Sequence, residues 1–247
     1  MLYYDIHCHI LPGLDDGAFS ADETFRMAEI AVSHHTGVIV CTPHCLPNHL
    51  YNKEDILSVF RMVSAGIAER KLRLKLALGQ EIFLDQQFRS TVSALEKGEH
   101  FTLNQTPYTL VEFDPYEDTR VVFPALDALR AAGFTPIVAH PERYEFVWED
   151  YGVLYQLKEY GAFLQINKGS IKGAFGYDVQ RIADFMLEER LADFVASDAH
   201  SPYRRTPPMQ DVHEYVSLHY SHAYADYLFS ANPLAVLRNQ TVHSYNT

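Results

Sequence analysis

The sequence predicts a single-domain α/β fold, a parallel (β/α)7 TIM-like barrel spanning residues 1–247. Three observations predict it. Short apolar runs alternate with helical patterns along the whole chain, as repeated βα units do. Residues of metal-ligand type recur where the runs end, as catalytic residues do on a βα barrel. A length of 247 residues suits one domain with a full core.

Leu2–Ile6 is the first expected strand. Ser20 then opens a helix, because Ser20 and Glu23 fit a capping box and Phe25, Met27, Ala28 and Ala31 follow at helical spacing. Gly37 is its expected stop. Val38–Cys41 is the second strand, and Asp55–Arg70 a helix with Ile56, Val59, Phe60, Val63 and Ile67 on one face. Leu74–Leu78 and Thr109–Phe113 are the third and fourth strands. Between them, residues 84–108 are the least regular, with a helix expected at Phe88–Glu96 and a hairpin after it. Phe123–Ala132, Tyr151–Tyr160 and Asp178–Glu189 are expected helices, alternating with strands Thr135–Ala139, Ala162–Ile166 and Asp193–Ala196. Helices at Met209–Phe229 and Pro233–Asn239 close the chain. No internal repeat, low-complexity stretch or linker divides it.

The strand ends carry the chemistry. The first strand runs into His7-Cys8-His9 and the second into Thr42-Pro43-His44. Glu81 follows the third strand and Glu112 lies in the fourth; His140-Pro141-Glu142-Arg143 ends the fifth and Ser197-Asp198-Ala199-His200 the seventh. On a βα barrel these groups converge on one face. Alternate residues of a strand point the same way, so His7 and His9 can chelate one ion. Each signal is weak alone: His-x-His pairs are common, Asp198-Ala199-His200 could cap a helix, and isolated Glu81 and Glu112 would be solvated. Their joint placement after successive strands implies metal, because buried ionisable groups are costly unless paired or ligated. Imidazole mixed with carboxylate suits manganese, iron or zinc better than calcium or magnesium. The ligands exceed the needs of one ion. The remaining histidines, among them His34, His35, His213 and His219, read as surface or helix residues.

Composition excludes other classes. The formal net charge is −12, which argues against a nucleic-acid partner. No apolar run has the length of a spanning helix, and Met1–Ile6 lacks the features of a signal peptide, so direct membrane insertion is not expected and a cytoplasmic location is. Cys8, Cys41 and Cys45 form no even framework, which fits a reducing compartment. None of them precedes an Arg at the offset a cysteine-type phosphatase needs. P-loop and nucleophile-elbow motifs are also missing.

The run from Asp5 to Ala18, Asp-Ile-His-Cys-His-Ile-Leu-Pro-Gly-Leu-Asp-Asp-Gly-Ala, resembles the opening motif of the bacterial manganese-dependent protein-tyrosine phosphatases. These belong to the polymerase-and-histidinol-phosphatase superfamily and act in capsule and exopolysaccharide synthesis. Thr42–His44, Gly79–Ile82, Leu110–Glu112, Ala139–Tyr144, Gln165–Asn167 and Ala196–His200 follow in the order of that family, so the likeness runs from about residue 4 to 208. It implies a distorted (β/α)7 TIM-like barrel, and phosphotyrosine hydrolysis by a metal-bridging hydroxide with a bacterial tyrosine kinase as the phosphoprotein. It also implies three divalent ions, manganese first, with iron or zinc compatible. By motif, His7, His9, Glu81 and Asp198 hold one ion; Glu81, Glu112 and His140 the second; Asp16, His44 and His200 the third. Arg143 and Arg205 resemble the phosphate-binding arginines, with Arg204 leaving the choice of the latter open. Cys8 stands where the family often has Ser, and Cys45 where a second His is common. Three such ions would halve the formal charge and focus positive potential in the cleft.

Rival readings are a phosphoesterase for a small metabolite such as histidinol phosphate, a metal-dependent amidohydrolase, and a non-catalytic regulator binding a tyrosine-kinase tail. Glu81 at the bridging position disfavours the amidohydrolase, which commonly bridges its metals with a modified Lys. The complete ligand set disfavours the regulator. Glu23-Thr-Phe-Arg26 resembles a feature tied to ring assembly in some relatives, and reads equally as a plain surface pair three residues apart, so a homo-oligomer stays open.

Overall fold

The structure is a computed structural model that describes residues 1–46 and 51–245. The described residues form nine strands: β1 Tyr3–Cys8, β2 Thr36–Cys41, β3 His44–Cys45, β4 Lys75–Leu78, β5 Glu81–Phe83, β6 Tyr108–Glu112, β7 Thr135–Ala139, β8 Phe163–Asn167 and β9 Phe194–Ala196. All pairings are parallel, in two sheets ordered β1-β2-β4 and β3-β5-β6-β7-β8-β9.

The nine strands reduce to the seven expected. β2 and β3 are one strand interrupted at Thr42-Pro43, and β4 and β5 one strand interrupted at Gly79-Gln80. Hydrogen bonds from Gly79 N to Cys41 O (2.9 Å) and from Glu81 N to Pro43 O (3.2 Å) carry the ladder across the gap. At the other edge, a bridge joins Cys8 to Ala199, and His9 N donates to Ala199 O at 2.9 Å. These links are consistent with a barrel-like arrangement.

The strands alternate, as period two requires. Ile6, Val40, Leu110, Ile137 and Phe194 pack into one inner cluster. Val111, Val138 and Val195 face the opposite way, into the larger core under the helices. Strands buried on both faces are what parallel βα architecture demands, and each buried Val, Leu or Ile contributes roughly 1.5–3 kcal/mol.

The helices are α1 Ala21–Ser33, α2 Lys53–Glu69, α3 Phe88–Glu96, α4 Thr119–Ala131, α5 Glu145–Glu149, α6 Gly152–Glu159, α7 Lys168–Ile171, α8 Tyr177–Glu188, α9 Gln210–His219, α10 His222–Asp226 and α11 Asn232–Leu237. Ser20 caps α1 by accepting from Glu23 N, but the Glu23 carboxylate accepts from Phe19 N, so the expected box is only half formed. Asn52 and Asp55 make a full box at α2.

Several expectations are corrected. The first strand runs two residues beyond Ile6, so His7 and Cys8 lie inside it. Gly37 is not the stop of α1. His35 takes the left-handed turn (φ 66°), and Gly37 lies in β2, where an added Cβ would sit 2.4 Å from the Leu2 side chain. The expected hairpin after α3 is a 3-10 turn at Leu103–Gln105; Asn104 and Gln105 adopt φ of 52° and 59°, and Asn104 is tied to Leu237 O. The helix expected at Phe123 starts at Thr119, capped by Asp118. Met209–Phe229 is not one helix. Ser221 caps a new one by accepting from Tyr224 N, and a π turn follows at Tyr227–Ala231.

Candidate metal centre

The eight carboxylate and imidazole residues singled out at the strand ends come together with Asp16, which the resemblance added, and each of the nine lies in a group whose ligand atoms fall within 4.8 Å of one another. β1 delivers His7 and, just past its end, His9; β3 delivers His44, and β5 and β6 deliver Glu81 and Glu112. His140 follows β7; Asp198 and His200 follow β9. The Asp15-Asp16-Gly17 turn folds back over β1, with Ala18 N donating to His9 O at 3.0 Å. Gly17 is required there: an added Cβ would lie 2.2 Å from that same carbonyl oxygen.

Glu81 is the hub. Its Oε2 lies 3.1 Å from His7 Nε2, 3.2 Å from His9 Nε2 and 3.1 Å from His44 Nδ1, and its Oε1 lies 2.9 Å from His140 Nε2. Asp198 Oδ1 faces His7, His9 and His200 at 3.4–3.6 Å. Asp16 Oδ1 is 3.4 Å from His44 and 3.3 Å from His200. Glu112 Oε1 is 2.7 Å from His44 Nδ1.

The grouping implied by the motifs is thus partly reproduced. His7, His9 and Asp198 stand together, with Glu81 against both imidazoles. Asp16, His44 and His200 stand together, with His9 added. Glu81 and His140 adjoin, but Glu112 groups with His44 and Glu81 and not with His140.

Surrounding residues aim the rings. Gln165 Oε1 is 2.7 Å from His7 Nδ1, and Asp15 Oδ2 is 2.7 Å from His9 Nδ1. Each acceptor holds the proton on Nδ1 and leaves the Nε2 lone pair facing the cluster, as outer residues of metal sites do. Gln165 Nε2 also donates to Asn167 Oδ1, and Asn167 Nδ2 to Asp198 Oδ2 at 2.5 Å. Asp5 accepts from the Ser197 backbone and hydroxyl, which pins β1 to the end of β9. Three residues here hold positive φ without being glycine: His140 at 36°, Asp198 at 47° and Arg205 at 49°.

The residues fit cations. Glu81 Oε2, Asp198 Oδ1 and His200 Nε2 are buried and, although opposite charges or ring nitrogens adjoin them, none makes a properly aligned hydrogen bond, a costly state for polar atoms unless an ion takes them. Burial and the Glu81 charge raise the Glu112 pKa. Burial works against the Glu81 and Asp198 carboxylates, yet His7 together with His140 or Arg205 holds both below the usual range. Burial alone would lower His9, but Asp15 and Glu81 outweigh it and push it up to about 10. Asp16 and Glu112 do the same for His44, up to about 12. Protons therefore balance the carboxylates when cations do not.

Two arginines flank Asp198. Arg205 Nη2 donates to Asp198 Oδ2, and Arg143 Nη1 lies 3.8 Å from the same oxygen. Both guanidinium groups stack on Phe175, at 5.1 and 5.8 Å from its ring centre. Arg204 is exposed on the neighbouring turn, so Arg205 is the one brought to the cluster. Sequence reasoning missed Phe175 and Asp15; the Asp15-Asp16 repeat was the available signal for the latter.

Cys41 lies in β2, and Cys45 Sγ contacts the His100 ring at 3.3 Å, outside the cluster. His213, expected at the surface or on a helix, is on α9 but buried. Arg26 pairs with Glu29 at 3.3 Å, not with Glu23.

Known proteins resemble this chain in sequence and fold. The chain is 32% identical over 240 residues to tyrosine-protein phosphatase YwqE of Bacillus subtilis, covering 96% of this chain and 92% of that one. It is 31% identical over 246 residues to tyrosine-protein phosphatase CpsB of Streptococcus pneumoniae, covering 96% and 99%. A solved structure from work on YwqE and CpsB, described as unique metal-dependent tyrosine phosphatases, superposes with a TM-score of 0.89 at 32% identity, over 97% of this chain and 96% of that one. Dihydropyrimidinase from Brevibacillus agri superposes at 0.60 with 11% identity, over 99% of this chain and 73% of that one, a likeness of fold alone. Residues 3–238 match the family of capsular polysaccharide synthesis proteins CpsB/CapC, and the chain belongs to that family.

Proposed function

We propose that this protein is a metal-dependent protein-tyrosine phosphatase whose substrate is phosphotyrosine on a bacterial tyrosine kinase of capsule or exopolysaccharide synthesis. The observation that carries this reading is the convergence of nine ligand residues around orphaned buried atoms, with two arginines at its rim. Family membership and the activity named for YwqE and CpsB support it. We read the two sheets together as one distorted seven-stranded barrel in a single domain, and place the protein in the cytoplasm. No helix among the described residues is long and apolar enough to cross a membrane.

Three divalent ions fit the residues, manganese first. His7, His9, Asp198 and Glu81 would hold one; Glu81, Glu112 and His140 a second; Asp16, His44 and His200 the third, with His9 and His44 each adjoining a neighbouring group. Bound there, they supply Lewis acidity at the phosphoryl oxygens and acidify the attacking water.

The chain supplies the rest. Gln165 and Asp15 fix the tautomers of His7 and His9. Arg143 and Arg205, half-exposed and braced on Phe175, present planar donor forks to non-bridging phosphate oxygens. The leaving phenol has a pKa of about 10 and needs less protonation than an alkanol. A cleft of about 610 Å³ opens beside His44, lined by Leu14, Lys53 and His100 among others, and gives the peptide room.

The test compares turnover of a phosphotyrosine peptide and of histidinol phosphate with manganese added back. The peptide is the preferred substrate, chelation abolishes turnover, and alkylation of the three buried thiols does not. His140→Ala or Asp198→Ala removes activity; turnover that survived either change with metal still bound would sink the mechanism.

A further inference from the structure

A second group of metal-ligand side chains lies away from the cluster. His213 on α9 and His222 and Asp226 on α10 place three ligand atoms within 4.8 Å of one another. His213 Nε2 is 3.0 Å from Asp226 Oδ1, and His222 Nε2 is 3.7 Å from Asp226 Oδ2. Both imidazoles thus turn the same nitrogen toward one carboxylate, from opposite oxygens.

The geometry points to a second divalent-metal site here, formed by His213, His222 and Asp226 and taking zinc. Two imidazoles and one carboxylate, with a fourth position open, are a zinc donor set, whereas calcium and magnesium prefer oxygen throughout.

Three features support a site beyond a simple ion pair. The His213 ring is fixed in place, packed 5.3 Å from Tyr3 and 5.4 Å from Phe229 by ring centres. The His222 Nδ1 lies 3.3 Å from Ser217 Oγ, so its other nitrogen has an orienting neighbour of the kind metal-bound histidines keep. His222 is 75% exposed, which gives an ion a path in. A His213–Asp226 hydrogen bond that merely fastens α9 to α10 accounts for two of the residues. An i, i+4 pair on α10 brings His222 to Asp226; what points to a metal is that this pair and the bond from α9 converge on one carboxylate with both Nε2 atoms facing it.

The site is separate from the phosphatase cluster. His213 packs on Tyr3 at the start of β1, four residues before His7, a separation of roughly 13 Å along an extended strand. A metal here would clamp α9 to α10 over the beginning of β1. This inference does not depend on the phosphatase reading.

The test uses the manganese-loaded full chain and its His222→Ala variant, each equilibrated with micromolar free zinc. His222 is exposed, so its removal leaves folding intact, and phosphotyrosine-peptide turnover before zinc addition checks this. Zinc that displaces manganese from the main cluster does so equally in both proteins, so their difference counts only the new site. Wild type should bind one more zinc per chain than the variant. At about a hundredfold excess over Kd, its melting temperature should rise by roughly 5–10 °C more. A conservative His222→Asp variant should recover part of both. Equal zinc stoichiometry in wild type and His222→Ala, or an equal zinc-induced shift, would overturn the proposal.

Discussion

Asp15→Asn is the sharpest probe of how this chain prepares its metal ligands. Asp15 is not one of the nine clustered ligand residues, and its side chain is 3% exposed. Its Oδ2 takes hydrogen bonds from His9 Nδ1 at 2.7 Å and from the His44 backbone N at 3.0 Å, and its Oδ1 from Gly17 N at 2.9 Å. Asparagine has the same shape but one acceptor oxygen. If its amide nitrogen faces His9 and His44 N, His9 must move its proton to Nε2, and the lone pair aimed at Glu81 and Asp198 is lost. If the amide flips, Gly17 N–H meets a donor instead. Either orientation leaves a donor unpaired, a cost of about 1–3 kcal/mol to folding. Loss of an outer residue that fixes a histidine ligand typically lowers metal affinity or activity 10–100-fold, equivalent to about 1.4–2.7 kcal/mol. The assay is a competitive chelator titration of manganese, paired with phosphotyrosine turnover as a function of manganese concentration. Asp15→Asn should need 10–100 times more manganese for half-maximal rate and recover most of kcat at saturation. Wild-type manganese affinity in the variant would refute the argument that the Asp15–His9 contact sets the ligand tautomer.

Other outcomes follow from the same geometry. Metal binding should release protons: His9, pushed up to about 10, and His44, pushed up to about 12, are protonated at neutral pH in the metal-free protein and must be neutral to ligate. Manganese affinity should therefore rise with pH below about 10, and the calorimetric binding enthalpy at pH 7 should change with the ionisation enthalpy of the buffer; no change would contradict it. Phe175→Ala removes the surface on which Arg143 and Arg205 stack, so KM for the phosphopeptide should rise several-fold with little change in manganese affinity, each cation–π contact contributing about 0.5–1 kcal/mol. Gly17→Ala forces a methyl into the His9 carbonyl, and should cost upwards of about 1 kcal/mol in denaturant unfolding while weakening metal binding through displacement of Asp15 and Asp16.

Much of this site is legible in the sequence because strand order converts to spatial convergence. His7, His44, Glu81, Glu112, His140 and Asp198 are far apart in the chain, yet each follows or ends a strand, and parallel strands open on one face. What could not be read has physical causes. The apolar run stops at Ile6 because His and Cys interrupt it, although in the fold they continue the ladder. Gly37 looked like a helix stop, but its lack of a side chain serves the approach of Leu2. The break at Tyr220-Ser221 was hidden because the apolar spacing carries on through it, and only the Ser221 cap marks the new helix. Phe175 sits in a Gly-Ala-Phe-Gly stretch where an aromatic residue has no periodic pattern to betray its contacts. The exchange of Glu112 toward His44 depends on side-chain reach, which strand position does not specify.

The backbone strain at the site has the same origin. A strand end points its last side chains along the sheet faces, whereas a polynuclear centre needs donors turned over the open end. His140, Asp198 and Arg205 meet that need by adopting positive φ, each at a cost on the order of 1–3 kcal/mol. Glycine would relieve the strain but supply no ligand or guanidinium. The surroundings hold these conformations in place: His140 N donates to Gln165 O, Asp198 N to His7 O, and His200 N to Arg205 O. Each bond ties a strained residue or its neighbour to an adjoining segment, so the same backbone contacts that link β1 to the segment after β9 also hold Asp198 over the cluster. Stability and ligand geometry are therefore coupled here. A substitution that weakens the β1–β9 edge, such as one at Asp5 or Ser197, acts on the centre without touching a ligand.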